Sequence, residues 1–193
     1  MSITPSFTED RILDAARRVL AAHPGATMDE IAREARVGRA TVFRCFRNRA
    51  ELLRTLARRA IAVTDQVAGE AAASAETATE ALRRVITAVL GASDHYRFLG
   101  AAAELSGEEE IASAYERQLG DLAELVAAAR REGSVRPELP TGWLLAMIDA
   151  QIWAAGAAVT KGAVGRLQAE ELLWETIMAG IGTDSVREDA RAG

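Results

Sequence analysis

The chain has 193 residues, 49% of them hydrophobic and 5% aromatic, with a formal net charge of −5 at pH 7. That length allows one large or two small domains with a proper core, and a composition rich in alanine and leucine with few β-branched runs points to an all-α globular protein. One cysteine, Cys45, excludes an intramolecular disulfide and fits a reducing cytoplasm, and two histidines with that cysteine cannot assemble a metal site of the usual type.

Ile12, Leu13, Ala16, Val19 and Leu20 recur at helical spacing and predict a first helix, with Thr8 as its N-cap and Glu9 and Asp10 in its first turn. His23-Pro24-Gly25 ends it. Nothing before it has the charged and apolar regions of a signal peptide. Thr27-Met28-Asp29-Glu30 has the spacing of a capping box, in which Thr27 receives the N–H of Glu30 and the Glu30 carboxylate reaches back. The second helix then runs to about residue 35. Arg36-Val37-Gly38 reads as a short turn in which Gly38 supplies backbone freedom. A third helix covers about residues 39–46, with Val42, Phe43 and Phe46 on its apolar side. Asn48 and Glu51 repeat the capping-box spacing and open a fourth helix, which continues past Leu52, Leu53, Leu56 and Val63 to about residue 72.

Thr77-x-x-Glu80 starts a helix to about residue 93, and a shorter segment spans 95–105. Ser106-x-x-Glu109 opens a long helix that ends at Arg131-Glu132-Gly133, basic residues followed by glycine. Residues 134–140 form a loop with two prolines. Thr141 is placed to cap a helix over about 143–161, and a last helix covers about 167–181. The apolar run 143–159 is interrupted by Asp149 and Gln151, so it reads as a buried helix and not as a membrane span. The polar residues 183–193 read as a flexible tail.

Charge is divided along these elements. Residues 1–60 hold 12 arginines against 7 acids, a net of +5, and residues 61–193 hold a net of −10. From Arg36 to Arg59 there are eight arginines and one acid, Glu51. Positive charge concentrated on a small helical module of an acidic protein points to DNA phosphates.

A helix-turn-helix that reads DNA needs a bracing helix, a tight turn that fixes the angle, and a second helix that presents side chains to base edges. The second and third helices have that layout. Ile31, Ala35, Val37, Val42 and Phe46 can pack the pair together, which leaves Arg39, Thr41 and Arg44 outward. Thr27, Ile31-Ala32, the turn at 36–38, Thr41-Val42-Phe43-Arg44-Cys45-Phe46, and Arg49 before Leu52-Leu53 follow in order. In these features residues 8–55 resemble the amino-terminal domain of the TetR family of bacterial transcriptional regulators. The resemblance implies DNA contacts from Thr27, Arg39, Ala40, Thr41, Phe43, Arg44 and Arg49. The family usually has tyrosine where Phe43 stands and commonly serine where Gly38 stands, so one phosphate-binding hydroxyl and one helix cap are missing. Arg49 opens a helix, where the dipole disfavours a cation, and a phosphate partner would account for it.

The resemblance further implies an all-α architecture: a three-helix helix-turn-helix domain at 1–50, joined by the fourth helix to a helical ligand-binding and dimerisation domain at 51–182. In the family the last two long helices form a four-helix dimer interface. Gly156 and its neighbouring alanines, with Leu172, Leu173, Trp174, Ile177, Met178 and Ile181, supply the matching surface. Asp149, on a helical face with Leu145, Ile152, Trp153 and Gly156, needs a partner: an arginine, a dimer contact or a ligand. Ligand contacts are expected from His95, Tyr96, Leu99, Trp143, Met147, Asp149 and Trp153. Arg54, Arg58 and Arg59 are expected to face solvent or lie between domains. No glycine-rich phosphate loop, Glu-x-x-His pair or Gly-x-Ser-x-Gly is present, so no enzyme, metal or cofactor is expected. The function expected is a cytoplasmic repressor that binds a palindromic operator as a homodimer and answers an apolar or amphipathic effector. An activator without a ligand, and a helical sensor acting through protein partners, remain as alternatives.

Overall fold

A computed structural model of the chain describes residues 7–92 and 108–183. Among the described residues it has eight helices: α1 (Phe7–Ala22), α2 (Met28–Glu34), α3 (Arg39–Cys45), α4 (Arg49–Ala73), α5 (Ala78–Ala92), α6 (Glu109–Arg131), α7 (Thr141–Thr160) and α8 (Arg166–Ile181). The only β-type pairing among them is a single bridge, Val135 to Gly182. The segment expected at 95–105, and with it His95, Tyr96 and Leu99, lies outside the described residues.

The described residues fall into two compact units. The first holds residues 7–62 with 108–112, and the second holds 63–92 with 113–183. The first unit closes around Ile12, Leu13, Ala16 and Leu20 of α1, Ile31 and Ala32 of α2, Val42 and Phe46 of the third-helix region, and Leu52, Leu53 and Leu56 of α4. These are the periodic apolar positions of the sequence. The second unit packs Leu82, Ile86 and Leu90 of α5 against Val126 of α6, Leu144 and Ile148 of α7, and Leu173 and Ile177 of α8.

Caps explain several boundaries and correct others. Thr27 caps α2 with a complete capping box: its hydroxyl accepts from the Glu30 N–H at 3.3 Å, and its own N–H donates to Glu30 Oε2 at 2.7 Å. Before α4 the box is half formed. Asn48 Oδ1 accepts from the Glu51 N–H at 2.9 Å, but Glu51 Oε2 takes the N–H of Arg47 instead, at 2.8 Å. The same shift by one residue occurs before α5, where Thr77 receives the Glu80 N–H and Glu80 takes the N–H of Glu76. Thr8 stands inside the first turn of α1, which includes Phe7, and is not its N-cap. Thr141 is the first residue of α7, and Pro140 occupies the N-cap. The Thr141 hydroxyl accepts from Arg130 Nη1 at 2.8 Å, a bond across the loop instead of a cap.

The turn between α2 and α3 also differs from its expected form. Gly38 is extended, with φ −68°, while Arg36 has φ +53°. The hydrogen bonds identify the device. Arg36 N–H reaches the Arg33 carbonyl at 3.1 Å and Val37 N–H reaches the Ala32 carbonyl at 3.0 Å. This is a Schellman cap with arginine in the left-handed position usually held by glycine. After α6 and α7 the same bonding pattern places Gly133 and Gly162 there, at φ +84° and +69°.

Candidate nucleic-acid interface and effector cavity

Helix α3 sorts its side chains by periodicity. Val42 is buried in the first unit, as is Phe46 at its C-cap, while Arg39, Ala40, Phe43 and Arg44 are exposed. Spacings of four residues (39 to 43, 40 to 44) put these four on one face. Thr41 is half-buried beside them. The result is a short helix whose outer face carries two arginines and one ring.

Arg39 is pre-positioned. Its Nη1 donates to Asp29 Oδ2 at 2.9 Å, and its guanidinium lies over the Phe43 ring, 5.3 Å from the centroid. One donor is engaged, so the rest of the planar fork is available for another acceptor. Among the described residues Arg44 has no hydrogen-bond or ion-pair partner, which leaves its charge fully available. Thr27 is exposed at the start of α2, but its hydroxyl already gives and receives a bond with Glu30. Those bonds hold the Glu30 carboxyl below its ordinary range, the backbone bond first and the hydroxyl second.

Arg49 has a partner within the chain. It is half-buried and its Nη2 donates to the carbonyl of Pro24, in the loop after α1. The cation at this helix start therefore has an intramolecular acceptor for one of its nitrogens. Arg54, Arg58 and Arg59 are paired inside the first unit. Arg54 meets Glu108 at 3.1 Å, Arg58 grips both oxygens of Glu110 at 2.7–3.0 Å, and Arg59 meets Asp10 at 3.1 Å. The arginine cluster of the sequence is thus neutralised along α4. Its available positive charge narrows to the α2–α3 turn and α3, with Arg47, exposed but bonded to Glu51, beside them.

The second unit contains a cavity of about 630 Å³, within the size range of small-molecule sites. Residues of α4, α5, α6 and α7 line it, and its walls are mainly apolar, with Val85, Ile86, Val89, Leu122, Leu125 and Ile152 among them. Of the expected ligand residues in the described part, Asp149 lines this cavity, while Trp143, Met147 and Trp153 are outside the lining. Trp143 is 66% exposed, and Met147 packs with the core and near Gly180.

Tyr115 Oη donates to Asp149 Oδ2 at 3.1 Å, and Trp153 also bonds that carboxylate. Burial pushes the Asp149 carboxyl up from its ordinary value, against those two bonds. Tyr115 is pushed up to about 12, first by burial and then by the adjacent carboxylate. Elsewhere on the lining Asp65 accepts from Arg117 at 2.7 Å and from Gln118 at 2.7 Å. Burial opposes its charge, but these bonds prevail and its carboxyl lies below its ordinary value. The sequence reading did not find Tyr115, Arg117 and Gln118. The available signal was a block of polar and aromatic residues within the otherwise alanine-rich α6.

Residues 12–56 match the family model described as bacterial regulatory proteins, tetR family. The chain is 33% identical over 174 residues to the HTH-type transcriptional repressor LfrR of Mycolicibacterium smegmatis, covering 90% of each. The solved structure of the Mycobacterium smegmatis TetR-like regulator LfrR in complex with proflavine superposes with a TM-score of 0.76 at 30% identity, covering 91% of this chain and 97% of that one. A ketosteroid transcriptional regulator of Mycobacterium tuberculosis has a TM-score of 0.81 at 16% identity, covering 94% and 98%, and so shares the fold.

Proposed function

This chain belongs to the TetR family of bacterial regulatory proteins, and on that premise we propose that it is a homodimeric, effector-released repressor acting in the cytoplasm. As a member of that family it is a DNA-binding transcriptional regulator and not an enzyme. The helix-turn-helix domain, assigned to residues 1–50, reads the operator, and the domain at 51–182, whose residues 51–62 pack into the first unit, binds the effector and dimerises. Arg39, Ala40, Thr41, Phe43 and Arg44 enter the major groove, while Thr27 and Arg49 stay near the phosphates.

The observation that supports this best is the outer face of α3, where two exposed arginines flank an arginine-stacked ring with the buried side anchored in the core. Arginine can bond O6 and N7 of guanine bidentately, the commonest specific contact in that groove. For dimerisation, the support is apolar surface left open on the single chain. Trp143 is 66% exposed, Leu167 77% and Leu172 44%, and Ala146, Ala150 and Ala154 form an exposed stripe. α7 buries Leu144, Ile148, Ile152 and Gly156 within the chain, so the stripe on its outer face is what a second copy has to cover. For the effector, the support is the apolar cavity, together with the proflavine complex of the relative. An apolar or amphipathic molecule fits that lining.

Selection of bound duplexes from a randomised pool tests the reading. An imperfect palindrome with half-sites about one helical turn apart is expected. Recovery of unpatterned sequences would instead favour a sensor that acts through protein partners.

A further inference from the structure

We propose that the cavity selects an organic cation, anchored by the Asp149 carboxylate with the Tyr115 ring beside it and apolar walls around the remainder of the molecule. The inference rests on the reading of the cavity as the effector site and adds the charge class of its occupant.

The charge layout supports it. The acids on the lining are Asp65, Asp121, Glu124 and Asp149, and the bases are Arg117 and Arg131. Arg117 is committed to Asp65 at 2.7 Å. Asp149 differs from Asp65: it receives only neutral donors, the Tyr115 hydroxyl at 3.1 Å and Trp153. Among the described residues no arginine, lysine or histidine lies within ion-pair distance of it. A half-buried carboxylate without a cation retains part of its desolvation cost, and a ligand cation would recover it. A neutral or anionic ligand would leave that cost in place or add repulsion. Tyr115 is 46% exposed, so its ring offers a face to the same cation. Leu122, Leu125, Val89 and Ile152 require the bulk of the ligand to be hydrocarbon or aromatic.

The test uses the full chain and calorimetry with three probes: tetraphenylphosphonium and tetraphenylborate, which share a shape and differ in sign, and neutral triphenylphosphine oxide, which keeps three of their four rings. The cation should bind about tenfold or more tighter than the neutral probe, as a charged contact of this kind implies, and the borate weakest. Asp149→Asn should abolish the preference for the cation over the neutral probe by weakening the cation, and should keep or raise the melting temperature. Equal binding of cation and neutral probe by the unaltered chain would overturn the charge class and leave the effector site standing. A cation preference that survives Asp149→Asn would overturn the anchor. Binding of none of the three would overturn both the inference and the reading of the cavity as the effector site.

Discussion

Arg39 and Asp29 form a pair with consequences for base reading. Both are exposed and 2.9 Å apart, and exposed ion pairs of this kind add little to stability. The value of the pair lies in orientation: the carboxylate and the Phe43 ring together fix a guanidinium that would otherwise sample many rotamers. Asp29→Asn should therefore leave the melting temperature almost unchanged and strengthen binding to random DNA, because a negative charge near phosphates is removed. It should also weaken preference at the base pair read by Arg39, by roughly 1–3 kcal/mol at most. Parallel titrations of selected and random duplexes by fluorescence anisotropy measure both effects. An equal change on the two duplexes would reduce Asp29 to a bystander. The outward direction of Arg39 and Arg44 was legible in the sequence because helical period alone determines it. The roles of Asp29 and Arg49 were not. Each depends on a partner from another element: the Arg39 guanidinium of α3 for Asp29, and the Pro24 carbonyl after α1 for Arg49.

Among the elements, helices were legible wherever a cap and an apolar period coincided, as at α2, whose capping box formed as expected. Turns were less so. Glycine at position 38 drew the expected flexibility to itself, yet backbone bonding placed Arg36 in the left-handed position. An L-residue there is strained by roughly 1–2 kcal/mol, partly offset against glycine by the latter's greater chain entropy. Arg36→Gly should thus raise the melting temperature, with a net gain of about 0.5–1 kcal/mol, and Arg36→Val should lower it. Denaturant titrations of the two variants would decide. A loss with glycine would show that the Arg36 side chain outweighs its backbone strain. The apolar run of α8 was misjudged in a related way. Leu173, Ile177, Met178 and Ile181 face the chain's own core, which leaves Leu172 and part of Trp174 on the surface. The hydrophobic pattern reports which residues are apolar, but not whether the same chain or a second copy covers them.

At the scale of the whole molecule the same ambiguity affects the dimer surface. Gly156 is buried within the single chain, so a charge there would break its own core and would not test association. The exposed stripe Ala146, Ala150, Ala154 is the better site. Ala150→Glu should convert dimers to monomers in light scattering, while Ala150→Ser should not. An unchanged dimer mass for the glutamate variant would move the interface elsewhere. The central claim, however, is that effector and operator compete through one protein. An amphipathic cation that favours one dimer arrangement should disfavour the arrangement that fits two successive major grooves. Linkage requires the effect to be mutual. The most direct measurement is the affinity of the full chain for its selected duplex, with and without saturating tetraphenylphosphonium, paired with the affinity for that cation on free and duplex-bound protein. The account predicts that both affinities fall by the same factor, about 5–150-fold. A cation that saturates the protein while the duplex affinity stays unchanged would contradict it.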